Sequence, residues 1–127
     1  SAQSITEGQE YQIIRAQSDQ GNVVQVYDFF SYACGHCYEF KPLIGAWAEN
    51  VPDGVQFNHM PAVFNERMVP LAKLFFTIEE MKLMDTVHHQ VYEAIHEKRI
   101  NLLTEKQILS WAGKNKAINF GNFERCV

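Results

Sequence analysis

Val23-Val24-Gln25-Val26-Tyr27-Asp28-Phe29-Phe30 leads through Ser31-Tyr32-Ala33 into Cys34-Gly35-His36-Cys37, and this junction decides the fold. The first eight residues are β-branched and aromatic with little alternation. That is the pattern of a strand covered on both faces, as in a parallel α/β sheet. A helix is expected from about Cys34 to about Asn50, so the two cysteines stand at a helix N-terminus. Such an end carries partial positive charge and unpaired backbone N–H groups, which stabilise a thiolate on Cys34. A thiolate is the species that attacks a disulfide. Cys37, one turn along, is placed to resolve the mixed disulfide that results.

The composition sets limits on the remaining possibilities. The chain has 127 residues, 46% of them hydrophobic and 20% charged, which suits a folded domain with a buried core rather than disorder. A net charge of −4 gives no basic field for nucleic acid. The apolar runs fall far short of a membrane span. Ser1-Ala2-Gln3-Ser4 lacks the basic start and apolar core of a signal peptide, as a processed secretory protein also would. Three cysteines are too few for a disulfide scaffold.

Working outward, Tyr11-Gln12-Ile13-Ile14 centres a short edge-like strand over Gln9–Ala16, and Gln17–Asn22 is turn chemistry. Pro42 falls inside the first helix and is expected to kink it. Pro52-Asp53-Gly54 reads as a turn, and Val55–Met60 as a second strand, which completes a βαβ unit. Beyond Phe64 the period becomes helical. Met68, Leu71, Phe75 and Ile78 form one stripe, widened by Leu74. Asp85 is the expected cap of a further helix with His88, Val91, Tyr92 and Ile95 on its inner face. Thr104-Glu105-Lys106-Gln107 is a capping box ahead of Ile108, Leu109, Trp111 and Ala112, with Gly113 suited to the C-terminal end. Asn122–Arg125 reads as the first turn of a last helix. The expected division is 1–63, part of an α/β domain, and 64–127, a helical segment.

The stretch Val26–Cys37 resembles the active-site segment of the thioredoxin superfamily. Asp28 lies six residues before Cys34, where many members carry a buried acid. Pro42 lies five after Cys37, at the position of the helix-kinking proline. Asp28-Phe29-Phe30-Ser31 with His36-Cys37-Tyr38 is more similar to the DsbA family of periplasmic dithiol oxidases, as is the run of helices after the second strand. Gly35-His36 replaces the usual Pro-His and is similar to the pair in protein disulfide isomerases. The family's acid four residues after the second cysteine is Lys41 here, and Glu39 lies two before it.

The resemblance implies a thioredoxin-like α/β fold with an inserted helical domain. It also implies a cis-proline loop that binds substrate, for which Pro42, Pro52, Pro61 and Pro70 are unsuited by position. The chain therefore reads as an N-terminal portion lacking the last strands and helix. The implied function is thiol:disulfide exchange that introduces disulfides into secreted proteins. The implied location is the periplasm, with reduced or unfolded proteins as substrates and a membrane quinone-linked, DsbB-like oxidase as redox partner. No metal or organic cofactor is required. Alternatives are an isomerase or reductase, and a non-catalytic fragment that grips unfolded chains. Exposed sheet edges make self-association, or pairing with a C-terminal segment, a further expectation.

Four residues are the candidate site. Cys34 and Cys37 exchange disulfides, the cationic form of His36 favours the Cys34 thiolate, and Asp28 is a proton acceptor for Cys37. His59 ends a strand on the same side; it reads as an ordinary structural histidine, with partnership to Asp28 as the alternative. Half a zinc site is the competing reading of the cysteines, but adjacent His88 and His89 diverge by about 100° on a helix and do not converge on one ion. His88 is expected in the core, with His89 and His96 solvated. Phe75, Phe76 and Trp111 are expected as helical core, and Tyr32 and Tyr38 as an apolar rim. Cys126 is expected either as a free buried thiol or as paired with a cysteine elsewhere.

Overall fold

The computed structural model describes residues 22–127, so the strand expected over Gln9–Ala16 lies outside them. The described chain is mixed α/β. Strand β1 (Val24–Phe30) is followed by helix α1 (Gly35–Glu49), strand β2 (Val55–Pro61), a 3-10 turn (Glu66–Met68) and helices α2 (Val69–Glu80), α3 (Val87–His96), α4 (Glu105–Gly113) and α5 (Phe120–Cys126). The strands pair in parallel, with Val26 opposite Phe57, Asp28 opposite His59 and Phe30 opposite Pro61. The turn into β2 needs Gly54, whose φ of +82° is left-handed backbone that glycine adopts without penalty. Its carbonyl accepts the Val24 N–H at 2.7 Å and fixes where β1 begins.

Among the described residues, β1 is covered on one face and not on both as expected. Tyr27 and Phe29 are exposed, whereas Phe30, on the other face, is 3% exposed. The side-chain alternation of a strand separates these two sets. Trp47 of α1 packs edge-on against Phe57, and Phe30 packs against Phe75 of α2 and Tyr92 of α3. These helix contacts fall on one face of the sheet.

The helices form where the apolar period predicts them. In α2, Leu71, Leu74, Phe75 and Ile78 are buried, and Pro70 in the first turn needs no N–H partner. They join Val87, Val91, Ile108, Ala112 and Phe123 in one core. Each fully buried large side chain there contributes about 1.5–3 kcal/mol. The capping box of α4 is complete: the Gln107 N–H donates to Thr104 Oγ1 at 3.2 Å, and the Thr104 N–H donates to Gln107 Oε1 at 3.1 Å.

Several local expectations are corrected. Thr86, not Asp85, is the N-cap of α3, because the Leu83 carbonyl already takes the Val87 N–H at 2.8 Å. Helix α5 begins earlier than Asn122, capped by the Asn119 side chain. Met68 closes the 3-10 turn rather than lying in α2. Phe76 is 46% exposed, since one step past Phe75 turns it about 100° away from the core. Trp111 is half-buried against the core. Cys126 is exposed at the end of α5, whose buried face is occupied by Phe123.

Candidate active site

Cys34 is the N-cap of α1. Its backbone is extended (φ −84°, ψ 116°), and its Sγ accepts the Cys37 N–H at 3.3 Å. A turn delivers it there: the Cys34 N–H donates to the Ser31 carbonyl at 3.1 Å, with Tyr32 and Ala33 at the corner. Cys34, Cys37 and Cys126 are free thiols.

The Cys34 thiol is held below its ordinary value. The largest cause is the hydrogen bond donated by the Cys37 thiol. Partial burial works against it, and the backbone N–H groups of Cys37 and His36 add to the lowering. Cys37 is pushed the other way. Burial comes first, followed by its hydrogen bond to Cys34; a backbone hydrogen bond at Ser31 works against them, and the charges of Cys34 and Asp28 add smaller upward contributions. The pair is therefore asymmetric: Cys34 is the sulfur that ionises, and Cys37 holds its proton.

His36 lies on the outer side of the first turn, its side chain 93% exposed and 3.8 Å from Glu39. Its contact with the thiol is through its backbone N–H. Asp28 is on the inner face of β1, and its carboxylate lies 3.4 Å from His59 Nδ1, as their opposed register requires. A cavity of about 340 Å³ opens between Cys37 and this pair, lined also by Phe30, Lys41 and His88. The cavity thus brings Cys37, Asp28 and His59 together, with the exposed His36 at its rim, and Cys34 joins them through its contact with Cys37.

Helix α3 supplies what the sequence reading missed. Tyr32 is not on a rim; it is 1% exposed, in the core. Its hydroxyl lies 2.7 Å from His88 Nδ1. Burial pushes the Tyr32 phenol up, so it stays protonated and donates. Burial likewise lowers His88 to about 3, with the nearby His59 charge as a second cause, so His88 is the neutral acceptor. His96, expected in solvent, is half-buried, and its Nε2 donates to the Tyr32 carbonyl at 2.7 Å. Tyr38 stacks on His96 with ring centroids 5.1 Å apart, and its hydroxyl donates to Glu97 at 2.7 Å, which raises its pKa. The signal was present in the sequence: His88, Tyr92 and His96 recur every fourth residue and share a helix face. Among the described residues, no group of three or more His, Cys, Asp or Glu side chains is gathered to hold a metal ion. His88 points to Tyr32, whereas His89 is exposed beside Glu93.

A cysteine pair at the start of the crossover helix of a βαβ unit defines a thioredoxin-superfamily fold. Comparison with known proteins narrows this. The chain is 34% identical over 116 residues to the thiol:disulfide interchange protein DsbA of Pseudomonas aeruginosa, covering 89% of this chain and 55% of that protein. It is 35% identical over 95 residues to the DsbA of Bordetella pertussis, covering 75% and 45%. The crystal structure of Pseudomonas aeruginosa DsbA superposes with a TM-score of 0.78 at 31% identity, over 87% of this chain and 57% of that one. A Neisseria meningitidis oxidoreductase, NmDsbA1, shares the fold with a TM-score of 0.75 at 23% identity. No family model matches. The chain belongs to the DsbA-like proteins of the thioredoxin superfamily. It spans about half the length of the curated relatives it matches.

Proposed function

We propose that this chain carries the redox centre of a thiol:disulfide oxidoreductase working in the oxidising direction. The observation that carries the reading is the asymmetry at the start of α1, where Cys34 accepts the Cys37 N–H and is favoured as thiolate while Cys37 keeps its proton. In the oxidised protein, a substrate thiolate attacks Cys34 Sγ. The Cys34–Cys37 bond breaks and Cys37 leaves as thiolate. A second substrate thiolate then attacks the substrate sulfur of the mixed disulfide, and Cys34 leaves. The substrate gains one disulfide and loses two electrons, and the protein ends with two reduced cysteines. A low pKa makes Cys34 a good leaving group, which favours this direction.

In this reading Asp28, with His59 beside it, takes and returns the Cys37 proton across the cavity. His36 contributes its backbone N–H and the field of its exposed imidazole. Substrates are reduced or unfolded proteins in the periplasm, and a DsbB-like, quinone-linked membrane oxidase restores the disulfide. The expected division into 1–63, an α/β part, and 64–127, a helical part, goes with this reading. Support comes from the relatives named thiol:disulfide interchange protein.

The test is alkylation of Cys34 across pH, alongside oxidation of a reduced protein substrate. Alkylation should follow an apparent pKa well below the ordinary thiol value of about 8.5. A profile at that ordinary value refutes the activated thiolate.

A further inference from the structure

We propose that His96 and His88 are positioning residues that clamp Tyr32 at both ends and so lock the turn that delivers Cys34 to the start of α1. This deepens the exchange reading above and rests on it. Tyr32 and Ala33 are the corner residues of the turn closed by the Cys34 N–H and the Ser31 carbonyl. In such a turn the peptide between the two corner residues is the one that rotates when the turn changes type. Here both ends of that peptide are held. Its carbonyl accepts from His96 Nε2 at 2.7 Å, and its Ala33 N–H donates to Ser31 Oγ at 3.3 Å. The Tyr32 ring cannot swing to release it, because its hydroxyl is tied to His88 at 2.7 Å and its face is packed edge-on by Tyr92 at 5.0 Å.

The two histidines are eight residues apart on α3, about 12 Å along its axis, and they share a face with Tyr92. They grip one residue at its backbone and at its tip. His96 is itself held by the nearly parallel ring of Tyr38, in the first turn of α1 (interplanar angle 8°). The clamp therefore ties α3 to both sides of the cysteine pair. The donors that favour the Cys34 thiolate are the Cys37 thiol first and then the backbone N–H groups of Cys37 and His36, and the aim of all three depends on where the turn leaves Sγ. A turn free to rotate misaligns a bond that is already 3.3 Å long.

The decisive variant is His96→Phe, which keeps a ring to stack on Tyr38 and removes the N–H. His96→Gln restores a donor, and Tyr32→Phe removes the other end of the clamp. In the full chain, His96→Phe is expected to raise the apparent pKa of Cys34 alkylation by about one unit. It should also weaken the protein as an oxidant about tenfold in a glutathione equilibrium. His96→Gln should recover most of both, and Tyr32→Phe should shift them in the same direction. A purely structural role would lower the melting temperature and leave the Cys34 pH profile in place. That result in His96→Phe overturns the clamp. If His96→Phe does not fold, an unchanged profile in Tyr32→Phe overturns it instead. A wild-type profile at the ordinary thiol value overturns the exchange reading and the clamp together, whereas a low wild-type value with unmoved variants overturns the clamp alone.

Discussion

Acidification from pH 7 to pH 5 is expected to destabilise this fold through His88. The residue is 8% exposed, and its folded-state pKa lies at about 3, against about 6.5 in an unfolded chain. Above pH 6.5 neither state binds the proton, and the full stability is present. Between the two values the unfolded chain binds a proton that the folded chain refuses, so stability falls as pH falls. Each pH unit in that window costs about 1.36 kcal/mol, so the loss is about 2 kcal/mol by pH 5, with a ceiling near 5 kcal/mol below pH 3. The cause is burial first and the neighbouring His59 second, and protonating Nδ1 would also cost the bond it accepts from Tyr32. The assay is urea unfolding at pH 7, 6 and 5 on the wild type and on His88→Gln, whose amide oxygen still accepts from Tyr32 and does not titrate. With a slope of about 2 kcal/mol per molar urea, the wild-type midpoint should fall about 1 M further than that of the variant. Parallel losses in the two proteins refute the reasoning.

Two further outcomes concern packing and capping. Phe75→Ala empties a fully buried position against Phe30 and should cost about 3–5 kcal/mol, read as a lower urea midpoint at an unchanged slope. Thr104→Ala removes the acceptor of the Gln107 N–H and should cost about 1 kcal/mol by thermal unfolding, while Thr104→Ser should be close to neutral.

The redox pair was legible because its position, as much as its spacing, carries the chemistry: a strand of β-branched residues fixes where the helix begins, and Cys34 falls at its cap. The capping box of α4 was legible for the same reason, since a cap involves only residues three apart. The pairing of Asp28 with His59 was only the alternative to an ordinary structural histidine, and the parallel register of β1 and β2 decides it. What stayed hidden depends on contacts between distant residues. Tyr32 beside a cysteine motif looks like a surface aromatic until α3, 56 residues on, supplies an acceptor for its hydroxyl. His96 near a helix end looks solvated until the Tyr32 carbonyl needs a donor. Phe76 was misplaced by its neighbour, since one residue along a helix separates core from solvent. The exposed face of β1 escaped a pattern that reports hydrophobicity and not what lies over it.

The parallel pairing of β1 with β2 also bears on the order of assembly. Val24 meets Val55 across 30 residues of intervening chain, and no tight turn shortens that closure. Each doubling of a loop adds about 0.6 kcal/mol of entropy to be overcome before any pairing is gained. The contacts of α2 with α3 and of α4 with α5 join helices adjacent in the chain and close much shorter segments. The helical core is therefore expected to gather first and the strand leading to Cys34 to dock onto it afterwards. Cys34 and Cys37 are separated by only two residues and need no sheet to meet. Their bond can form or break while β1 is still searching for its partner, but the asymmetry that favours the Cys34 thiolate arises only once the turn after β1 and the start of α1 are in place, so docking of the strand and the redox bias of the pair are linked.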